Sequence, residues 1–185
     1  MNKKCIIVLV GPSGSGKTTV GDALSDKGIP KLVTTTTRKP REGELDGVDY
    51  YFREPNELNR DDFIEQTVYN QRIYGLTKNE VEHALEKYDK VHVSLDKNGA
   101  KAMKQAYPEE TLIIFMYVPL SEMVKRMTER GDSEQKITER VDFSQETNEL
   151  KPIEEADLII ENRSIEETVD TILHYLKKRA SAPTE

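Results

Sequence analysis

Cysteine is nearly absent from this sequence. Cys5 is the one cysteine among 185 residues, so the chain cannot form an intrachain disulfide. This cysteine usage is typical of a reducing compartment such as the cytoplasm. The apolar run that Cys5 begins, "CIIVLV" (5–10), has the pattern of a buried strand. We therefore interpret Cys5 as a small buried hydrophobe and not as a nucleophile.

Long apolar runs and an excess of basic residues are also missing. The longest apolar stretches, 5–10 and 112–118, are far too short to cross a bilayer. The formal net charge of -7 argues against broad nucleic-acid binding, which needs many uncompensated Lys and Arg. We therefore expect no membrane and no nucleic acid as partners, and a bound phosphate would need a local basic cluster. His83, His92 and His174 have no metal-like spacing and are interpreted as structural residues.

Strand patterns and helix patterns alternate along most of the chain. Continuous apolar runs, typical of parallel strands buried on both faces, occur at 5–10, 90–95, 112–118 and 156–160. Helical patterns follow them at 17–26, 98–106, 120–130 and 165–179. Ser164 and Glu167 have capping-box spacing at the start of the last helix. This alternation predicts an α/β fold with a mostly parallel sheet between helices.

Two segments interrupt this alternation. Residues 34–88 contain a strand pattern at 48–52, a helix pattern at 55–66, a further short strand and a helix at 77–88, which predicts a small mixed lobe. Residues 130–151 are highly charged and predict a mobile helical lid. We expect a single domain with a core formed by approximately 1–33, 89–129 and 152–180.

The stretch "GPSGSGKTT" directly follows the first apolar run and precedes a helix, in agreement with the P-loop pattern. Glycines allow the backbone N–H groups to converge on a phosphate at the positive end of the following helix. Lys17 can bridge phosphate oxygens, and the Thr18 hydroxyl can ligate Mg²⁺. The predicted ATP-binding residues are Gly11, Pro12, Ser13, Gly14, Ser15, Gly16, Lys17, Thr18 and Thr19.

A second basic loop, "TTTTRKPREGE" (34–44), is unusual in so acidic a chain. Arg38 and Arg41 are three residues apart on a segment stiffened by proline, which suits two guanidinium groups on one phosphate. Tyr50 and Tyr74 lie downstream and offer hydroxyl donors to the same anion. Each feature is also compatible with a solvated loop or with core packing.

The segment "TTRKPREGELDGVDYYF" (36–52) resembles the guanylate kinase signature, in which a TTR-x-PR-x-GE motif runs on to G-x-DY-x-F. Similar blocks follow in the same order over nearly the whole chain: "FIE" (63–65), "YG" (74–75), "LDKNGA" (95–100) and "RMTERG" (126–131). The resemblance implies a P-loop NTPase three-layer fold with an inserted mixed α/β GMP-binding lobe and a helical lid. It also implies a nucleoside monophosphate kinase that transfers the γ-phosphoryl group of Mg²⁺-bound ATP to GMP, and to dGMP.

The resemblance also implies roles for individual residues. The GMP phosphate would be held by Arg38, Arg41, Tyr50 and Tyr74. The guanine base would be bound by Glu65, which accepts from N1–H and the amino group, by Thr34, which donates to O6, and by Asp96. Charge that develops during transfer would be stabilised by Lys17, Arg38, Arg126, Arg130 and Arg140.

Three departures from the family pattern leave alternatives open. Ser94 occupies the first acidic position of the family's D-x-D segment. Leu76 stands where the family commonly has Ser or Thr, and Thr77 is the neighbouring hydroxyl that can substitute. The lid is one residue shorter between Arg130 and Arg140. A P-loop kinase for another nucleotide or a sugar phosphate, or a non-catalytic binding module, are the competing hypotheses. We expect a cytoplasmic monomer or homodimer.

Overall fold

Strands and helices alternate along the chain, as the sequence predicts. The computed structural model describes residues 3–12, 14–69, 71–146, 148 and 150–181. Within these residues the elements are, in chain order, β1 (Cys5–Val10), α1 (Lys17–Asp26), β2 (Thr35–Thr36), β3 (Tyr51–Phe52), β4 (Phe63–Tyr69), β5 (Arg72–Thr77), α2 (Lys78–Lys87), β6 (Lys90–Ser94), α3 (Lys97–Ala106), β7 (Thr111–Tyr117), α4 (Leu120–Glu129), α5 (Glu134–Glu146), β8 (Leu158–Glu161) and α6 (Ile165–Ser181).

The central sheet has the strand order β6–β1–β7–β8, and all neighbouring strands are parallel. Successive side chains of β1 point to opposite faces of the sheet. Ile6 and Val8 belong to the cluster with buried residues of α2 and α3, whereas Ile7 and Leu9 belong to the cluster with α1 and α6. Burying each such side chain stabilises the fold by roughly 1.5–3 kcal/mol. The prediction of a sheet between two helical layers is confirmed.

A second sheet has the strand order β3–β2–β5–β4. β2 is parallel to β3 and antiparallel to β5, which is also antiparallel to β4. Glu80 at the start of α2 connects this sheet to the core, because its carboxylate accepts from Val33 N at 2.8 Å and from Tyr51 Oη at 3.0 Å. The second sheet is therefore mixed, and the Glu80 carboxylate joins it to the core in addition to the core packing of Leu76 on β5.

The prediction of a helix over 55–66 is wrong. The chain forms two 3-10 turns there, Pro55–Glu57 and Arg60–Asp62, and then enters β4. Asn59 caps the start of the second turn, because its side-chain oxygen accepts a hydrogen bond from Asp61 N. Short polar side chains of this kind bind nearby backbone groups and favour turns over helices. Antiparallel pairing with β5 then determines where strand β4 forms.

The charged segment that the sequence predicts as a lid, 130–151, begins at the end of α4 and contains α5. The chain returns from α5 past Lys97, the first residue of α3. Lys97 Nζ donates to the carbonyl oxygens of Asn148 at 2.7 Å and Lys151 at 2.6 Å. This ammonium group therefore anchors the end of the lid segment to α3. No helix in the described part of the chain is long and apolar enough to cross a membrane.

A buried histidine joins the central sheet to α1. His92 on β6 is 2% exposed, and its Nε2 lies 2.9 Å from Ser25 Oγ. A Cβ atom at Gly21 of α1 would lie 2.9 Å from His92 Cε1, so glycine permits the close approach of the helix. Burial, with a smaller effect from Lys31, lowers the pKa of His92 to about 4. The ring is therefore neutral at pH 7 in the folded protein.

We predict that His92 makes the protein less stable as the pH falls below about 6.5. The unfolded chain binds a proton on this ring near pH 6.5, whereas the folded protein resists protonation until about pH 4. Between about pH 6.5 and pH 5 the free energy of unfolding should fall by about 2 kcal/mol through this group. Urea unfolding at about pH 7 and pH 5 should show this loss in the wild type and not in His92→Gln.

His174→Gln is the matched control, because His174 is exposed on α6. It should follow the wild type at both pH values. Comparing variants cancels the contributions of the carboxyl groups that all three proteins share. Equal pH dependence in wild type and His92→Gln would contradict the prediction.

Candidate active site

The P-loop connects β1 to α1 at the carboxyl edge of the central sheet. Gly16 is the N-cap of α1 with a φ of 90°, a left-handed conformation that favours glycine. Lys17 Nζ donates to the carbonyl oxygens of Gly11 at 2.7 Å and Pro12 at 2.9 Å. Ser13 lies outside the described residues. The other predicted ATP-binding residues form this loop and the first turn of α1: Gly11, Pro12, Gly14, Ser15, Gly16, Lys17, Thr18 and Thr19.

The buried side chain of Asn162 supports the P-loop through a hydrogen bond to its backbone. The sequence motifs did not predict this role. Asn162 is 2% exposed; its Nδ2 donates to Ser15 O at 2.8 Å, and its Oδ1 accepts from Thr168 Oγ1 at 2.8 Å. A Cβ atom at Gly16 would lie 2.2 Å from Asn162 Nδ2. The sequence signal that could have identified Asn162 is its position directly after β8, because parallel strands end at the same edge of a sheet.

Thr18 is the predicted protein ligand for Mg²⁺. It is exposed in the first turn of α1, and its hydroxyl makes no hydrogen bond within the described ranges. The same residues contain no group of three or more His, Cys, Asp or Glu that could hold a metal ion. Thr18 fits an ion that is bound largely by nucleotide phosphates, as Mg²⁺ commonly is.

Arg38 is fixed between aromatic rings and a carboxylate. Its guanidinium carbon lies 5.3 Å from the ring centre of Tyr50 and 5.7 Å from that of Phe52. Tyr74 meets Tyr50 edge-on at 6.1 Å between ring centres. The two terminal nitrogens of Arg38 donate to the two carboxylate oxygens of Glu44 at 2.8 Å each. Glu44, with a smaller contribution from Tyr74, holds the pKa of Arg38 above its usual range.

Arg41 follows on the same loop, and its side chain is exposed. Its guanidinium makes no hydrogen bond or ion pair within the portion of the chain that is described. The structure therefore brings Arg38, Tyr50 and Tyr74 together, and it leaves the charge of Arg41 available to a ligand.

A cavity of about 330 Å³ lies between the second sheet and the carboxyl end of β6. Ser94 at that end of β6 is paired with Leu9 of β1, so the cavity and the P-loop share one edge of the central sheet. Five predicted GMP-binding residues line it: Thr34, Tyr50, Glu65, Tyr74 and Asp96. The remaining lining residues are Thr67, Gly75, Ser94 and Leu95. We refer to this cavity as the base pocket.

Glu65 is a half-buried carboxyl group in the base pocket, and its surroundings raise its pKa. Burial raises the pKa of Glu65 to about 7, and the Asp96 carboxylate acts in the same direction. A Cβ atom at Gly99 would lie 3.3 Å from Glu65 Cδ, so the acid packs against the start of α3. Asp96 caps this helix, because its Oδ1 accepts from Gly99 N at 2.7 Å. Glu65 therefore changes charge near neutral pH.

The structure corrects the expectation for Thr77. Leu76 is fully buried in the core, and Thr77 caps α2 by accepting from Glu80 N. The base pocket instead contains the hydroxyl of Thr67, which donates to Asp96 Oδ2 at 3.2 Å. The signal for Thr67 was its spacing of two residues from Glu65, which places both side chains on one face of a strand.

The three predicted lid arginines occupy different surroundings. Arg126 on α4 donates to Glu122 at 3.0 Å and to the backbone oxygen of Asn162 at 3.3 Å, which places it beside the support of the P-loop. Arg130 is ion-paired with Asp132. Arg140 on α5 lies over a neighbouring ring, with its guanidinium carbon 5.3 Å from the ring centre of Phe143. Arg126 therefore contacts the residue that supports the P-loop.

A larger cavity, of about 990 Å³, lies between α2 and the two 3-10 turns. Its lining includes both acidic and basic side chains, among them Asp61, Lys78 and Glu82. None of the predicted nucleotide-binding residues lines the described part of this cavity. Size alone therefore does not identify the site, and the residue chemistry favours the base pocket.

Comparison with known proteins agrees with this geometry. The guanylate kinase family model matches residues 3–179. A guanylate kinase of Fusobacterium nucleatum is 35% identical over 96% of this chain and 98% of its own length. One from Mycoplasma genitalium is 31% identical over 95% of this chain and 76% of its own length.

A solved structure shows the same relationship. The guanylate kinase of Anaplasma phagocytophilum superposes with a TM-score of 0.74 at 27% identity, covering 98% of this chain and 89% of that one. The family-model match over residues 3–179 includes the P-loop, the basic loop and the base pocket. On this combined sequence and structural similarity, the chain belongs to the guanylate kinase family of nucleoside monophosphate kinases.

Proposed function

We propose that the protein transfers the γ-phosphoryl group of ATP to GMP, giving ADP and GDP, and that dGMP also serves as acceptor. The observation that most supports this proposal is the base pocket, where the half-buried carboxyl group of Glu65 lies at the same sheet edge as the P-loop. None of the residues assigned here reads a ribose 2′-hydroxyl, so dGMP fits the same site.

Guanine suits the chemistry of the base pocket. Its N1–H and amino group are adjacent donors, and the ionised Glu65 carboxylate can accept from both. The Thr34 hydroxyl can donate to guanine O6. Adenine has no N1–H and presents an amino group where guanine has O6, so these partners would stay unpaired. Asp96, held by Thr67 and Gly99, supports the carboxyl side of the pocket.

The phosphate groups are bound by separate sets of residues. Arg38, Arg41, Tyr50 and Tyr74 hold the phosphate of GMP in this proposal, and Lys17 with the P-loop backbone holds those of ATP. Thr18 would hold Mg²⁺ together with the phosphates of ATP, and the ion would supply positive charge for the transferred group. The lid arginines that stabilise this charge are Arg126, Arg130 and Arg140. Positioning and electrostatics carry this reaction, and no side chain needs to be a strong base.

A division into moving parts belongs to the same proposal. Residues 34–88 form the GMP-binding lobe and residues 130–151 form the lid, on a core of 1–33, 89–129 and 152–180. The base pocket combines residues of the lobe with Ser94, Leu95 and Asp96 of the core. A ligand that binds both sides therefore draws them together. We place the protein in the cytoplasm, where both nucleotides are available.

Acceptor choice tests the proposed function directly. GMP and dGMP should be phosphorylated, and AMP or a sugar phosphate should be poor acceptors by as much as about 10⁴-fold. Glu65→Gln should cut GMP turnover sharply and change the apparent affinity for ATP little. A coupled assay of ADP release across these acceptors measures both effects.

Two control variants separate the base from the phosphates. Arg41→Met should impair GMP and dGMP equally, because it acts on the phosphate. Lys17→Ala should abolish transfer in a folded protein, because the ammonium group donates to loop carbonyl oxygens of Gly11 and Pro12 and carries a charge that has no role in the apolar core. Equal use of AMP and GMP by the wild type would refute the guanine assignment, and a sugar phosphate as the best acceptor would favour the alternative P-loop kinase.

We predict that GMP affinity depends on the ionisation of Glu65. Free protein with a Glu65 pKa of about 7 must release a proton to accept both guanine donors. The KM for GMP should therefore rise about tenfold from pH 8 to pH 6. In Glu65→Gln the KM should be higher throughout, and this dependence should vanish. Titration of the GMP phosphate itself is common to both proteins, so an identical pH profile would contradict the prediction.

The assignment of lobe and lid predicts compaction on binding. Small-angle scattering should give a smaller radius of gyration with GMP and a non-hydrolysable ATP analogue together than without ligand. Each nucleotide alone should have a smaller effect, because it contacts fewer of the parts. Unchanged scattering under saturating nucleotides would count against these boundaries.

A further inference from the structure

We propose that Glu44 is a positioning residue for the acceptor phosphate, because it holds one edge of the Arg38 guanidinium and shapes the loop that carries Arg41. The inference rests on the proposed GMP kinase function and adds a residue that touches neither base nor phosphate. Glu44 acts through its two arginine neighbours.

The contacts of Arg38 divide its guanidinium into two edges. NH1 donates to Lys39 O at 2.8 Å and to Glu44 Oε2 at 2.8 Å, and NH2 donates to Glu44 Oε1 at 2.8 Å. These bonds use both hydrogens of NH1 and one of NH2. They leave Nε–H and the second hydrogen of NH2, which together form the other edge. Two donors on one edge match two oxygens of a phosphate group.

Glu44 also closes the loop around Arg41. Its Oε2 accepts from Arg41 N at 2.7 Å, and its own backbone N–H donates to Arg41 O at 3.1 Å. Gly43 has a φ of 87°, the left-handed conformation that the turn requires and that glycine adopts readily. One carboxylate therefore fixes the side chain of Arg38 and the backbone of Arg41 at the same time.

The ion pair between Arg38 and Glu44 is less exposed to solvent than a typical surface ion pair. The side chains of Arg38 and Glu44 are 15% and 20% exposed, and the Tyr50 ring covers the guanidinium. Bidentate geometry with shielding from water makes such a pair rigid, whereas exposed pairs contribute little. Hydrogen bonds from Arg38 and Arg41 N lower the pKa of Glu44 to about 2, so the carboxylate stays ionised at neutral pH.

Positioning and competition make opposite predictions. If Glu44 orients the arginines, its loss weakens GMP binding. If Glu44 instead occupies Arg38 and must be displaced by phosphate, its loss strengthens GMP binding. The loop also supplies a matched control, because Glu42 is exposed and carries the same charge two residues away. Its carboxylate makes no hydrogen bond or ion pair with the residues that are described.

Steady-state kinetics of Glu44→Gln, Glu44→Asp and Glu42→Gln test the proposal. Glu44→Gln should raise the KM for GMP and dGMP by about ten- to a hundredfold, with a smaller change in kcat and an unchanged KM for ATP. Glu42→Gln should stay within about twofold of the wild type. Glu44→Asp keeps the charge but shortens the reach, so an intermediate rise is expected.

Guanosine inhibition separates positioning from a general disturbance of the lobe. Guanosine has no phosphate, so its inhibition constant should be the same in Glu44→Gln and the wild type. A KM for GMP that matches Glu42→Gln, or one below the wild type, would overturn the proposal. So would an equal loss of guanosine binding. If Glu44→Gln does not fold, the same comparison of GMP with guanosine in Glu44→Asp decides. A wild type that fails to use GMP would instead refute the proposed function itself.

Discussion

The rest of the site depends on the close packing of the P-loop backbone against the ends of β7 and β8. A Cβ atom at Gly11 would lie 2.0 Å from Met116 O, and one at Gly16 would lie 2.2 Å from Asn162 Nδ2. With a side chain at either position, the loop backbone could not approach the ends of the strands so closely. The loop would then lose the hydrogen bond that Asn162 Nδ2 donates to Ser15 O. Because the strands are parallel, their carboxyl ends bring this loop and the base pocket to one edge. Sheet geometry thus supplies the proximity that transfer between two nucleotides needs.

Two carboxyl groups in the second sheet and its loops show how environment sets charge. Glu44 accepts from a guanidinium and a backbone N–H, so its pKa lies at about 2. Glu65 is half-buried beside Asp96, and this partial burial raises its pKa to about 7. The first acid is therefore permanently charged, whereas the second changes charge near neutral pH. Two glutamates therefore have different roles in the proposed site: Glu44 organises the loop, and Glu65 responds to the ligand.

Much of the core could be predicted from the sequence, because its signals are local. Apolar runs fixed the positions of β1 and β7, and the expected helix over 17–26 coincides with α1. The lobe was harder, because β2 and β3 have only two residues each and strand pairing in the lobe is set by distant residues. The helix expected over 55–66 is replaced by turns and β4, since pairing with β5 outweighs local propensity. Thr67 and Asn162 were missed for the same reason: their partners, Asp96 and Ser15, are far away in the sequence.

The anchor formed by Lys97 has a consequence for how such a chain can change length during evolution. Lys97 binds the carbonyl groups of Asn148 and Lys151, and its neighbour Asp96 lines the base pocket. An insertion or deletion between α5 and Lys151 would move the carbonyl groups that Lys97 binds, whereas one between α4 and α5 would leave this contact in place. The family resemblance predicts a lid that is one residue shorter between Arg130 and Arg140, on the side away from the anchor. We therefore expect changes in lid length to be tolerated more readily between α4 and α5 than beside the anchor.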